Sequence, residues 1–327
     1  MVTDKVNWGM IGAGDVTEVK SGPAFNKVDD SRLLMVMRRD LEKAKDYAER
    51  HHIPHCTNNA DDIFNNPEIN AIYVATPPSS HAEYTVRAAD AGKHVYVEKP
   101  MARSYSECKE MIRACDSNGV KLFVAYYRRE LDYFKKIKEL VDGHGIGQIR
   151  YVEIKLVLPP TKADYDRDHL PWRVDPKIAG AGYFYDLASH QFDFLDYVFG
   201  PVKSARGHSS NQLNLYEAED IVTASFTFES NILGSGLWCF TSEAGERIDT
   251  ARVTGSEGTL TFSFFGRSPI EVTKDGETSS YSIDYPQHVQ QPLIDTIVRD
   301  ILGEGKCMST GESGARTNWV LEQILAE

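Results

Sequence analysis

Over residues 1–125, short apolar runs alternate with stretches whose apolar residues recur at helical spacing. Residues 6–11, 32–37, 69–75, 94–97 and 120–125 are rich in Val, Ile, Met and aromatic side chains and too short for helices, which predicts strands. Residues 41–51, 81–91 and 104–118 place apolar side chains three and four apart, which predicts amphipathic helices. Gly92 and Gly119 close the last two, because glycine most readily takes the left-handed turn at a helix end. Strands that alternate with such helices form a parallel sheet, since each strand needs a crossover before the next can start at the same end.

The rhythm then changes. Residues 131–141 read as a helix and 149–158 alternate as a strand. A polar loop with Pro159, Pro160, Pro171 and Pro176 follows, and 183–199 form an apolar helix. Strand-like runs begin near Lys203 and include 222–228, 232–240, 247–254, 259–264 and 270–273; helices at 293–302 and 315–326 close the chain. The expected fold class is α/β: an N-terminal doubly wound parallel sheet over 1–124, plus a C-terminal α+β domain over 125–327 with a large, mostly antiparallel open sheet. The last helix is free to pack back on the first domain. The second domain has few helices to cover its strands, so a homodimer or homotetramer through one sheet face is expected. Leu237, Trp238 and Phe240 lie in one such strand.

Composition removes several classes of function. The 327 residues suffice for two cores. Acidic residues outnumber basic ones by 48 to 36, a formal net charge of −12, which argues against nucleic acid or an anionic membrane as a partner. No apolar run approaches the roughly 18 residues of a spanning helix. The polar first residues run straight into a strand and do not fit a signal peptide. Five cysteines, odd in number and lacking a Cys-x-x-Cys pair, are expected as free thiols in the cytoplasm. His51, His52, His55 and Cys56 are close in sequence, but Pro54 interrupts them and no second ligand pair has matching spacing, so no metal is expected.

The chemistry sits at strand ends. Gly12-Ala-Gly14-Asp15-Val16-Thr17 follows the first strand and opens a helix, where bare backbone approaches a pyrophosphate; this reads as a dinucleotide-binding Rossmann domain with Thr17 in the third glycine position. The second strand ends on Arg38-Arg39. An NAD site carries an acid there, about 20 residues past the glycines, to hold the ribose 2′-hydroxyl. Two arginines suit a 2′-phosphate instead, with Asp40 left as the ribose ligand if NAD is used. Thr76-Pro77 breaks the third strand at its carboxyl end, where ligands sit in open α/β sheets. Glu98-Lys99-Pro100 ends the fourth, and lysine is costly to bury without a partner or a task. Asp186 and His190, four apart, leave one face of one helix, as a salt-bridged surface pair also would. Gly180 and Gly182 before that helix favour close approach of a ligand. A lysine, an imidazole and a carboxylate beside a nucleotide site form a proton-handling set suited to hydride transfer.

In this order the pieces resemble the Gfo/Idh/MocA family of sugar and polyol oxidoreductases. The resemblance rests on Trp8-Gly-Met-Ile-Gly-Ala-Gly14, Ala75-Thr-Pro-Pro-Ser-Ser-His81, Val97-Glu-Lys-Pro100, Trp172-Arg173, Gly180-Ala-Gly182-x-x-x-Asp186-x-x-x-His190 and Gly255-Ser-Glu-Gly258. It implies a hydride exchanged between a nicotinamide cofactor and a secondary alcohol or carbonyl of a sugar-like substrate. Lys99, Asp186 and His190 take the catalytic roles. The expected cofactor set is Gly12, Gly14, Asp15, Val16, Arg38, Arg39, Thr76, Pro77, His81, Glu98 and Lys99, with Arg128, Trp172 and Arg173 toward substrate. Thr17, Ala181 and Arg38 depart from the family pattern, and Arg38 moves the expected cofactor from NAD to NADP. The family also holds NAD-dependent glycoside hydrolases and cofactor-binding regulators, which stand as alternatives.

Overall fold

A computed structural model describes residues 4–326; residues 1–3 and 327, which the expected domain bounds and the expected leaderless start include, lie outside the described residues. The chain divides into two compact units: Met1–Leu131 with Pro286–Ala315, and Asp132–Tyr285 with Arg316–Glu327. The units meet in sequence at Leu131/Asp132, a few residues past the expected 124/125 boundary, and the chain returns to the first unit over Pro286–Ala315.

The first unit is built on β1 (Val6–Ile11), α1 (Asp15–Val19), β2 (Ser31–Met37), α2 (Leu41–Arg50), β3 (His55–Thr57), α3 (Asp61–Phe64), β4 (Ala71–Val74), α4 (His81–Asp90), β5 (His94–Val97), α5 (Tyr105–Ser117) and β6 (Leu122–Val124). The strands form one sheet of order β3-β2-β1-β4-β5-β6, parallel throughout. The order reverses between β1 and β4, which makes their carboxyl ends the ligand crevice of a doubly wound sheet. Side chains alternate across it. Tyr73 of β4 packs with Trp8, Phe25 and Tyr96 on one face, while Ile72 and Val74 enter the core on the other. Both faces are buried, so the strands read as unbroken apolar runs.

The second unit contains α6 (Asp132–Asp142), β7 (Ile149–Val157), α7 (Pro176–Ala179), α8 (Tyr183–Phe199), β8 (Val202–Ser210), β9 (Ile221–Phe228), β10 (Leu233–Cys239), β11 (Ile248–Gly255), β12 (Gly258–Phe262), β13 (Ile270–Lys274) and β14 (Glu277–Tyr281). These strands form a sheet of order β14-β13-β12-β11-β7-β10-β9-β8. Its pairs are antiparallel except β7 with β10. One face is covered by α8: Phe184 meets Trp238 at 4.9 Å and Phe192 meets Phe226 at 5.1 Å between ring centroids. The other face is open. On β7, Val152, Ile154 and Leu156 point inward while Tyr151, Glu153 and Lys155 are exposed.

The chain then forms α9 (Gln291–Leu302) and α10 (Gly311–Leu325). Leu293, Ile294, Ile297 and Val298 of α9 complete the core around Trp8 and Phe25. Ala315, in the first turns of α10, packs among the apolar residues of the first unit; from Arg316 on the helix belongs to the second. Among the described residues no helix is long and apolar enough to cross a membrane.

Candidate active site

The nucleotide loop of the first unit is set by two glycines in different ways. Gly12 has φ of +93°, and a Cβ there would lie 2.8 Å from the Ala75 carbonyl oxygen. Only glycine lets β1 turn this close to the end of β4. A Cβ on Gly14 would meet nothing within 4 Å, so this backbone opens onto free space at the start of α1. Asp15 is exposed and Val16 half-buried beside it. Thr17 is buried; its hydroxyl donates to the Gly14 carbonyl at 2.8 Å and its own carbonyl accepts from the Tyr47 hydroxyl at 2.8 Å. Thr17 therefore fastens the turn from below.

At the end of β2, neither Arg38 nor Arg39 has a side-chain hydrogen bond or ion pair with another described residue. Asp40, the rival ribose ligand, is the N-cap of α2 and accepts from the Lys43 amide at 3.2 Å. Two guanidinium groups thus stand at the carboxyl end of β2, while the Asp40 carboxylate is engaged at its own helix. The open backbone at Gly14 fits the pyrophosphate of a nicotinamide dinucleotide.

Thr76 and Pro77 are half-buried at the carboxyl end of β4, with the Ser80 hydroxyl donating to Thr76 Oγ1 at 2.8 Å. His81 is fully buried. Its Nε2 lies 2.7 Å from the Thr76 carbonyl oxygen, and its Nδ1 lies 3.1 Å and 3.2 Å from those of Pro100 and Met101. Burial lowers the imidazole pKa against the pull of these carbonyls. With no exposed surface, the ring fastens the loops after β4 and β5 to each other.

Lys99 leaves the end of β5, half-buried, and is joined to Pro100 by a cis peptide. Before it, Glu98 is buried, with Oε1 accepting from the Tyr73 hydroxyl at 2.6 Å and from Gln290 Nε2 at 2.7 Å. Its Oε2 accepts from the Lys99 amide at 3.2 Å. From the end of β6, Tyr127 and Arg128 follow, with the Arg128 guanidinium 5.2 Å from the centre of the Tyr127 ring. Burial pushes the Tyr127 phenol up, but the Arg128, Lys20 and Lys99 cations outweigh it and the net shift is downward.

In the second unit, α8 carries Asp186 and His190, both buried. The Nε of Arg173 lies 3.3 Å from Oδ2 of Asp186, and its guanidinium stacks 4.5 Å from the centre of the Trp172 ring. Three residues picked out in the sequence, Trp172, Arg173 and Asp186, are thus joined. Gly182 opens α8, and its amide donates to Glu219 Oε1 at 3.1 Å. A Cβ there would lie 2.8 Å from that of Ala218. The Ala218 methyl and the Glu219 carbonyl oxygen of the chain itself lie close to Gly182. Burial pushes the Glu219 carboxyl up to about 7. Near it, the Tyr183 hydroxyl donates to the buried Asp164 at 2.7 Å.

A family model described as an oxidoreductase family with an NAD-binding Rossmann fold matches residues 6–126, and a GFO/IDH/MocA C-terminal domain model matches 134–261. An oxidoreductase of Formosa agariphila, P35, is 39% identical over 97% of this chain and 98% of its own. The chain belongs to the Gfo/Idh/MocA family. It is an NAD(P)-dependent oxidoreductase. A 1,5-anhydro-D-fructose reductase of Ensifer adhaerens is 26% identical over 98% of this chain and 94% of its own. The crystal structure of the Caulobacter crescentus aldose-aldose oxidoreductase with glycerol superposes with a TM-score of 0.85 at 25% identity, covering 98% of this chain and 96% of that one. The hydrolase and regulator alternatives gain no support from these relatives.

Within this member of the family, the sequence reading missed Gln290 and Glu219. Gln290 precedes a helix and reads as a cap, and Glu219 lies in the acidic run Glu217–Asp220 and reads as solvated. Among the described residues no group of three His, Cys, Asp or Glu side chains is placed to hold a metal ion. His51 instead lies 2.9 Å from Glu18, which Arg50 also binds and holds down to about 2.

Proposed function

We propose that this oxidoreductase moves a hydride between NADP(H) and a secondary alcohol or carbonyl of a sugar or polyol, with Lys99, Asp186 and His190 as the catalytic group. The observation that carries the reading is the place of Lys99, which leaves β5 at the same carboxyl edge of the sheet that bears the Gly12–Gly14 turn and Thr76. The bound dinucleotide supplies the hydride acceptor or donor. Lys99 holds the substrate oxygen and stabilises negative charge as it develops there. His190 takes or gives the hydroxyl proton, and Asp186, itself held by Arg173, orients it. Arg38 and Arg39 bind the 2′-phosphate; backbone at Gly14, Asp15 and Val16 binds the pyrophosphate. The names of the Ensifer and Caulobacter relatives support a sugar-like substrate.

The test is a panel of aldoses, anhydrosugars, keto-sugars and polyols with each cofactor, read at the reduced-nicotinamide absorbance band. Net change with at least one sugar or polyol is expected. Product formation with no net redox overturns the reading in favour of hydrolysis. Lys99→Ala and His190→Ala should lower turnover by about 10²–10⁴ while still binding reduced cofactor. Wild-type turnover in His190→Ala removes it from the proton path.

The proposal extends to self-association through the open face of the eight-stranded sheet. Tyr151 and Leu233 are register partners there, 39% and 59% exposed, while Trp238 and Phe240 face the core. Two large apolar side chains side by side on an uncovered sheet mark a contact surface. Sedimentation at micromolar concentration should give a dimer or tetramer, and a monomer counts against it. Five cysteines without a disulfide support a reducing, cytoplasmic location.

A further inference from the structure

We propose that Gln290, Tyr73 and Tyr96 are positioning residues for Lys99, acting through the Glu98 carboxylate; this rests on the role given to Lys99 above. The Glu98 carboxylate joins two sets of partners. On one oxygen it accepts from the Tyr73 hydroxyl at 2.6 Å and from the Gln290 amide at 2.7 Å. On the other it accepts from the backbone N–H of Lys99 at 3.2 Å. Gln290 is itself fixed from both ends: its Oε1 accepts from the Tyr96 hydroxyl at 2.6 Å, and its backbone N–H donates to the Lys20 carbonyl at 3.1 Å. The Tyr73 hydroxyl also meets Ser21 Oγ at 3.0 Å. The side chains of Glu98, Ser21, Tyr73, Tyr96 and Gln290 are all buried, the last four completely so.

The surroundings do not call for these polar groups. The Tyr73 and Tyr96 rings stack at 4.9 Å against Trp8 and Phe25, a site that two phenylalanines would fill equally well. Removing hydroxyls, an amide and a carboxylate from water is unfavourable unless each finds a partner, and an apolar set of the same shape is often no less stable. What the network achieves that an apolar set does not is direction. It fixes one carboxylate, and through it the peptide that launches the lysine. Lysine is a flexible chain with a point charge at its tip, so its placement over a reacting atom depends on where its backbone is held. The tie comes from the α9 side of the core, so Pro286–Ala315 shapes this edge as well as the core.

The test uses Tyr73→Phe, which removes one donor at constant shape, Gln290→Glu, which is isosteric, and Lys99→Ala as reference. In the whole protein, Tyr73→Phe should lower kcat about tenfold or more, since small misplacements of a catalytic group cost up to about 10². Affinity for reduced nicotinamide dinucleotide should stay within about threefold. Gln290→Glu sets a second carboxylate against Glu98, and such pairs share a proton. Its kcat should therefore gain a new limb that falls with rising pH. Tyr73, Tyr96, His81 and Tyr127 also feel the Glu98 charge, so the profile is compared with that of the wild type at each pH. Hydrogen exchange at the Lys99 amide without cofactor should quicken in both variants. If both keep wild-type kcat at every pH while Lys99→Ala is inactive, positioning is overturned and the role of Lys99 stands. If turnover falls only in step with cofactor binding and thermal stability, the network is structural and the proposal is likewise overturned. If Lys99→Ala keeps wild-type turnover, the catalytic reading of Lys99 falls and this proposal with it.

Discussion

Arg173 reaches Asp186 from outside: its side chain is 46% exposed, whereas that of Asp186 is 11% exposed. The pair is therefore an exposed cation holding a nearly buried anion at the start of α8. Its contribution to global stability is small, under about 1 kcal/mol, because solvent screens the exposed partner. Its value to the site is the orientation it gives Asp186, since a small misplacement of a catalytic group costs up to about 10² in rate. Arg173→Ala is expected to lower kcat/KM roughly ten- to hundredfold while moving the melting temperature little. Arg173→Lys should recover only part, because lysine lacks the planar fork and the stack on Trp172. Kinetics and melting curves of both variants check this; equal kcat/KM in Arg173→Ala and wild type removes Arg173 from the site.

Glu219 gives stability a pH dependence of known sign. Its carboxyl is raised from 4.5 to about 7 in the folded chain. Between these values the native state holds a proton that the unfolded chain has released. Stability then falls as pH rises, because unfolding releases protons across this window. The loss is complete above about 7 and amounts to roughly 3 kcal/mol at about 1.36 kcal/mol per unit. Glu219→Gln should flatten the slope between pH 5 and 7 relative to the wild type, in the window set by those two values. Urea midpoints across that range measure it. Parallel slopes in the two proteins would refute the assignment.

The strands of the first unit were readable because both faces are buried and each is an apolar run. The strand β3 was not: it has three residues and pairs only with β2, too little for any period to show. The return of Pro286–Ala315 was equally silent, since α9 is an ordinary amphipathic helix and nothing in it says which core it completes. Lys99, Asp186 and His190 stood out because their residue types are costly where the pattern put them. Gln290 and Glu219 did not, because each acquires its meaning from a partner far along the chain or from the fold around it: Gln290 from Glu98, 192 residues away, and Glu219 from the start of α8. Local pattern carries residue type and period, whereas burial of a polar group is a property of the assembled chain.

The two arginines after β2 should separate the cofactors. Each bidentate contact to a phosphate favours NADPH over NADH by about 1.5–3 kcal/mol, roughly ten- to hundredfold in Kd. Arg38→Ala and Arg39→Ala should each weaken NADPH within that range and leave NADH within about twofold. NADPH affinity should also fall with added salt more steeply than NADH affinity, since surface charges are screened. Fluorescence titration of both reduced cofactors decides it. Equal or tighter NADH binding by the wild type rejects the phosphate reading and returns the ribose to Asp40, at the expense of its cap on α2.

Gly12 and Gly14 should respond differently to the same substitution. Alanine at Gly12 must adopt φ near +93° and places its Cβ 2.8 Å from the Ala75 carbonyl oxygen, which is backbone and cannot swing aside. Such a residue costs about 1–3 kcal/mol in strain alone. Gly12→Ala should therefore lower thermal stability and cofactor affinity together. Alanine at Gly14 keeps an ordinary backbone, φ −126° and ψ −166°, and meets nothing within 4 Å. Gly14→Ala should melt within about a degree of the wild type, since surface substitutions away from special features change stability by no more than about 0.5 kcal/mol. Its methyl stands in the space the pyrophosphate would take, so cofactor affinity should fall at least tenfold. Melting curves and cofactor titrations of the two variants form one test. If Gly14→Ala binds cofactor as the wild type does, the free space at this turn is not where the pyrophosphate lies.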